Sequence, residues 1–316
     1  IIFGIGLFKK LVLSEYVSGS SDNMFNSVEN GIMPTFVEAW IGVISFTLLI
    51  YFDFSAYSDM AIGLSKMLGI RLPENFNSPY KSVNIIEFWK RWHITLSNFL
   101  KNYLYIPLGG NRFGELKKYR NILIVMILVG LWHGANWTFV LWGTIHGCFL
   151  LINHYWQKKK FFNINYYISF CLTFISIMIA LVPFRSLSIT SAINVYKGML
   201  GQFGFVLPEH YIKILPHSFT EILLKLGIQF SHVNGYGGKN QIIVLIMLLF
   251  FVFKLPNTQE IFQKYRPILG QNKNEYSTFL KWEPTLKSSI IIGIIFSYLL
   301  LLVIQGKSGE FIYFQF

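Results

Sequence analysis

Residues 87–147 read EFWKRWHITLSNFLKNYLYIPLGGNRFGELKKYRNILIVMILVGLWHGANWTFVLWGTIHG, and they place ionisable side chains inside sequence that otherwise reads as membrane. Two of the histidines, His93 and His133, each follow a tryptophan directly. A histidine at bilayer depth costs free energy unless it has partners or lines a wet cavity, so an intramembrane ionisable residue is a functional-site candidate by default. Working outward, Asn121 to about Asn136 crosses in one direction, and Trp137 to about Tyr155 returns to the basic run Lys158, Lys159 and Lys160. His133 thereby falls near the far end of its helix, away from the basic side.

The composition agrees. Hydrophobic residues make up 53% of the 316, aromatic residues 18% and charged residues 13%, with mean hydropathy +0.48; ordinary soluble domains carry about 25% charged residues. The fold class is an all-α polytopic membrane protein whose partner is the lipid bilayer. The net charge of +12 comes from lysines and arginines in short loops between apolar spans. That is the positive-inside pattern, not a nucleic-acid-binding face. Cys148 and Cys171 both sit in apolar surroundings and offer neither a disulfide framework nor a thiolate metal set. Phosphate-cradling GxxxxGK[ST], HExxH and GxSxG are all absent from the sequence, and no metal site is expected. The chain opens at Ile1 in an apolar run with no charged n-region or cleavage site, so further helices are expected ahead of it. GEFIYFQF reads as a natural terminus after a last span.

Taken in order, Ile1 to Leu13 is short for a span and is interrupted by Lys9 and Lys10, which suggests the end of a span or an interfacial helix. Ser14 to Pro34 is polar and reads as a loop. Phe36 to about Leu64 is apolar enough to cross, yet holds Asp53 and Asp59. An uncompensated Asp near the bilayer centre costs roughly 2.5–3.5 kcal/mol on insertion scales, so both acids must face protein or water. Asp53 and Tyr57 share a helix face, which permits a local polar network. The basic stretch from Lys66 to Arg120 belongs to the cytoplasmic side, and Ile85 to Tyr105 repeats apolar residues at helical spacing. One amphipathic interfacial helix, capped by Ser82 or Asn84 and ended by Pro107, Gly109 and Gly110, is the expectation. Further spans are expected at about Tyr166–Phe184, Gln241–Phe253 and Ser288–Ile304, with an extracytoplasmic segment over 185–240 and a cytoplasmic loop over 254–287. Lys9 and Lys10 are the one exception to this charge parity.

Histidine suits general base catalysis because its ordinary pKa near 6.5 leaves a neutral imidazole able to accept a proton. His133 shares its helix face with Asn136 and Trp137, and Gly130 and Gly134 allow close backbone approach. His146 lies thirteen residues on, across a turn near Asn136, and can face the same cavity. The competing reading is that a Trp-His pair is interfacial belt material. His154, His210, His217 and His232 read as ordinary loop or interface residues.

The blocks FDFSAYSDMAIGLSKMLGI, NFNSPYKSVNIIEFWKRWHITLSNFLKNYLYIPLGGNR, GLWHGANWTFVLWGTIHG and the terminal FIYFQF resemble the membrane-bound O-acyltransferase family, and within it the alginate O-acetyltransferase branch. The likeness is strongest over residues 52–147, inside a single membrane domain expected over 1–316. The resemblance implies a helical bundle around a pore or tunnel in a bacterial inner membrane. A cytoplasmic donor, acetyl-CoA, would reach it from one side without being a permanently bound cofactor, and a polysaccharide acceptor from the other. A periplasmic or extracellular acetyltransferase partner would finish the transfer. The family's active-site histidine maps onto His133 and its second characteristic histidine onto His93. In that reading Trp132, Asn136, Arg91, Asp53 and His146 are supporting or substrate-binding residues; Arg91 and Lys90 would meet a phosphate-bearing donor, though topology explains them equally. Competing readings are D-alanyl transfer to teichoic acid by a related protein, a transporter or channel relaying protons through Asp53, Asp59 and the histidines, and a structural scaffold, which gives no reason for polar groups at depth.

Overall fold

Helix α3, Phe36–Met67, is the axis on which the other elements are packed. The computed structural model describes residues 1–159, 163–231, 240–271 and 278–306; His232, Lys160 and the terminal FIYFQF lie outside them. Ahead of α3 the chain is helical from α1, Ile2–Phe8, through a π turn at Lys9–Ser14 into α2, Glu15–Glu29. After it come α4, Ile85–Arg91, and α5, Ile94–Leu100, then the hairpin α6, Glu115–His133, and α7, Trp137–Lys159. Helices α8, Tyr166–Arg185, and α9, Ile189–Met199, follow. A pair of short parallel strands, β1 (Val206–Pro208) and β2 (Gln229–Ser231), frames α10, His210–Ile214, and α11, His217–Lys225. The chain continues through α12, Gln241–Lys254, α13, Thr258–Ile261, and α14, Leu286–Ile304.

Among the described residues, α3, α8 and α14 are long and apolar enough to cross a membrane, with window hydropathies of 1.6, 2.2 and 2.3. Their burial differs sharply. The apolar window of α3 is 89% buried within the protein, whereas that of α14 is 6% buried and packs mainly on α1. The exposed face of such an apolar helix suits lipid tails, which solvate it as well as protein does.

The polar stretch from Ser14 is thus a helix as far as Glu29, not a loop. Two of its acids, Asp22 and Glu29, have partners that sequence proximity does not show. Ser20 and Ser21 are buried against the bundle. Asp22 pairs with Arg185 at 2.7 Å, and Glu29 accepts from Leu187 N at 2.8 Å and Ser191 Oγ at 2.7 Å. Lys10 Nζ meets Asp53 Oδ1 at 2.6 Å, with 8% and 1% of the two side chains exposed. Lys9 Nζ meets Asp59 Oδ2 at 2.7 Å. Thr258 Oγ1 and Gln259 Nε2 also donate to Asp59, at 2.6 Å and 2.8 Å. The two lysines that broke the charge parity are internal counter-ions, and so carry no weight in a count of topological charges.

The hairpin of α6 and α7 is held by backbone contact. A Cβ added at Gly130 would collide with the Phe139 carbonyl, and one at Gly143 with the Met126 carbonyl. Small residues let two membrane helices approach this closely. Asn121, fully buried at the base of α6, donates to Leu108 O at 3.0 Å and Gly110 O at 3.2 Å, which seats the turn before the hairpin.

Candidate active site

The expected single helix over 85–105 is broken at His93. Asn84 caps α4 by accepting from Glu87 N at 2.9 Å, but His93 then takes the left-handed conformation, φ 44° and ψ 54°. That conformation costs a residue with a Cβ roughly 1–2 kcal/mol, so something else must hold it. The segment 75–77 does so. Asn77 N donates to Arg91 O at 2.9 Å and Ile94 N to Asn75 O at 3.0 Å, taking up the backbone groups that the break frees. Asn75 Oδ1 accepts from Thr95 N at 3.4 Å and Thr95 Oγ1 at 2.9 Å, and lies 3.1 Å from His93 Nδ1. A backbone N–H can only donate, so this Asn75 atom is the acceptor oxygen and His93 Nδ1 carries the hydrogen. The tautomer follows: Nε2 of His93 is the bare nitrogen.

His133 closes α6, where its ring lies 5.0 Å from Trp132, 5.1 Å from Trp142 and 5.0 Å from Phe184 by centroids. His146, one turn beyond Trp142 on α7, is 2% exposed and lies 5.2 Å from Trp89 and 5.0 Å from Trp142. All three histidines line one cavity of about 520 Å³ of empty space including its mouth. The remaining wall is Ile50, Phe54, Tyr80, Phe88, Trp89, Trp92, Leu96, Trp142, Ile177, Leu181 and Phe184. Tyr80, 2% exposed, is fixed by donating to Thr47 O at 2.7 Å. Chemically this is an apolar, aromatic chamber with imidazoles supplied from the α4–α5 break, the end of α6 and the middle of α7. It suits an apolar group carrying one reactive centre. Among the described residues no three His, Cys, Asp or Glu side chains come together as metal ligands.

The other expected site residues lie off this wall. Asp53 belongs to the ion pair with Lys10. Arg91 bonds Glu87 at 2.7 Å and Asn77 O at 3.3 Å. Asn136 Nδ2 donates to Leu187 O at 2.9 Å while its Oδ1 accepts from Thr138 N at 3.2 Å, so it shapes the α6–α7 turn and ties it to the end of α8. Trp132 is 58% exposed and packs its ring 5.0 Å from that of His133. Trp89, Trp142, Tyr80 and Phe184 were missing from the sequence expectation, because aromatics at helical spacing read as core.

A family model described as MBOAT, membrane-bound O-acyltransferase family, matches residues 1–178. The chain is 37% identical over 319 residues to the peptidoglycan O-acetyltransferase of Helicobacter pylori, covering 100% of this chain and 56% of that protein. It is 43% identical over 199 residues to a probable alginate O-acetylase of Azotobacter vinelandii, covering 63% of this chain and 39% of that protein. A teichoic acid D-alanyltransferase of Streptococcus thermophilus is 36% identical over 118 residues, which is 35% of this chain and 28% of that protein. The chain spans about half the length, or less, of these curated relatives.

Proposed function

The chain belongs to the membrane-bound O-acyltransferase family, and from that premise we propose that it is part of a bacterial inner-membrane subunit that O-acetylates a cell-surface or exported polysaccharide. The acetyl donor in this reading is cytoplasmic acetyl-CoA, and a periplasmic or extracellular acetyltransferase completes delivery to the glycan. The observation that carries the proposal is the convergence of His93 and His133, from separate elements, on one aromatic cavity.

The chemistry runs as follows. A neutral His133 takes the proton of the acceptor hydroxyl as its oxygen bonds to the acyl carbon. The carbonyl electron pair moves onto oxygen, then returns as the carbon–sulfur bond breaks. The departing sulfur receives the proton from His133, so the imidazole ends neutral. A positioned base of this kind contributes typically 10²–10⁴-fold. His93, its Nδ1 fixed by Asn75, presents a bare Nε2 that accepts a hydrogen bond on the donor side. The apolar walls keep water from hydrolysing the thioester.

The test compares ester-linked acetate released from the envelope by mild base in strains carrying the full-length protein, a deletion and His133→Ala. Acetate lost in both mutants, with the variant still present in membranes, supports the proposal, and the glycan fraction that loses it names the acceptor. D-alanyl ester lost instead assigns the cargo of the D-alanyltransferase relatives. Unchanged esters of both kinds refute acyl transfer.

A further inference from the structure

Three residues that line the cavity each carry a buried ring nitrogen with no hydrogen-bond partner among the described residues: Trp89 Nε1, Trp142 Nε1 and His146 Nδ1. Leaving a buried donor unpaired costs about 1–3 kcal/mol, and the large majority of buried side-chain polar atoms are paired. Here the three belong to rings that touch one another. Centroids lie 6.0 Å apart for Trp89 and Trp142, 5.2 Å for Trp89 and His146, and 5.0 Å for Trp142 and His146. Trp142 and His146 are 4% and 2% exposed. The position relative to the base is equally defined, since the Trp142 ring is also 5.1 Å from that of His133.

Core packing alone does not account for these residue types. Phe54, Phe88 and Phe184 line the same cavity without a polar atom, and two phenylalanines in place of the tryptophans would avoid both unpaired donors. An indole nitrogen donates and cannot accept. Two donor-only groups call for a ligand atom able to accept both hydrogens. A carbonyl oxygen, with two lone pairs, does so, and in acyl transfer it is the atom on which negative charge develops.

We infer that Trp89, Trp142 and His146 form the subsite for the carbonyl oxygen of the acyl group, the two indole N–H groups donating to that oxygen beside His133. The inference rests on the acyl-transfer reading given above. As the acceptor oxygen bonds to the acyl carbon, the carbonyl electron pair moves onto this oxygen and the two N–H donors hold the negative charge. The pair returns as the carbon–sulfur bond breaks. Donors fixed in a dry cavity stabilise such charge without reorganising.

The test uses the full-length protein in nanodiscs, acetyl-CoA as donor and, as acceptor, the envelope glycan together with the periplasmic and secreted proteins of the deletion strain, with release of free CoA thiol as the readout. Trp142→Phe and Trp89→Phe keep an aromatic ring and remove the donor. Each is expected to lower kcat by about 10²–10³-fold with KM for acetyl-CoA little changed and the thermal melt intact. A kcat within about twofold of wild type for both variants, or a rise in KM alone, overturns the inference. Should Trp142→Phe fail to fold, 3-benzothienylalanine at position 142 replaces the N–H by sulfur at nearly equal shape. The same loss of kcat is expected there, and wild-type kcat overturns the inference. A wild type that releases no more thiol than His133→Ala overturns the acyl-transfer reading, and this subsite with it.

Discussion

Replacing Asp53 by alanine tests whether the acids of α3 serve the fold or the chemistry. The Lys10 Nζ to Asp53 Oδ1 separation is 2.6 Å and the side chains are 8% and 1% exposed. At that distance and an effective dielectric of 20, the Coulomb attraction is about 6 kcal/mol, much of it offset by the desolvation of both ions. The net worth of the pair is therefore small, but breaking it is expensive, because Asp53→Ala removes the carboxylate that faces the Lys10 ammonium inside the bundle. The expected loss is about 3–5 kcal/mol. Lys10→Met combined with Asp53→Leu removes both charges at similar volume and is expected to recover most of that loss or exceed wild type. Reversible unfolding of the purified full-length protein in SDS gives the free energies, and the thiol-release assay on the folded fraction gives turnover. A single Asp53→Ala variant within about 0.5 kcal/mol of wild type refutes the ion-pair argument. So does a folded double variant with no turnover, since it would place Asp53 in the chemistry after all.

Three further outcomes are expected. Gly143→Ala drives a Cβ into the Met126 carbonyl and is expected to cost about 1–3 kcal/mol, read as lost abundance and a lower melt; Gly19→Ala in α2, with open space around it, should be neutral or better on the same assay. His93→Gly and His93→Ala should both lose most activity, but the glycine variant should be more stable by about 1 kcal/mol, because position 93 is left-handed; equal stability would show that the backbone relaxes. Asn75→Ala removes the acceptor shared by His93 Nδ1 and Thr95 Oγ1. At about 0.5–1.5 kcal/mol per hydrogen bond, turnover should fall roughly tenfold, and unchanged turnover would mean that His93 needs no orienting partner.

The spans α3, α8 and α14 were legible because each is a long apolar run, whereas the helices expected to cross at 121–136, 137–155 and 241–253 are shorter or less apolar than a crossing requires. What the sequence hid has one physical cause, which is pairing between distant residues. Lys9 and Lys10 read as an interruption because their counter-ions sit on α3, and nothing local marks Asp59 and Asp53 as their partners. The polar α2 read as a loop for the same reason, its acids being satisfied by Arg185, Leu187 and Ser191. The break at His93 left no trace in the helical spacing of 85–105, since the atoms that enforce it belong to Asn75 and Asn77. His133 and His93 stood out because a histidine inside an apolar run is conspicuous. Trp89 and Trp142 did not, because an aromatic side chain there looks the same whether it fills a core or presents an N–H to a ligand.

The glycine contacts between α6 and α7 also govern which length changes the chain tolerates. With Gly130 against the Phe139 carbonyl and Gly143 against the Met126 carbonyl, the hairpin has a single fixed register, and only residues 134–136 separate its two arms. One residue inserted or removed within either arm turns everything beyond it by about 100°. Between Gly143 and His146 such a change would swing the imidazole out of the chamber while leaving the helix, its hydropathy and its glycine key intact. Single-residue insertions should therefore be tolerated in the turn before α6 far more readily than between Gly130 and His146, a stretch whose length is as much a part of the site as its histidines.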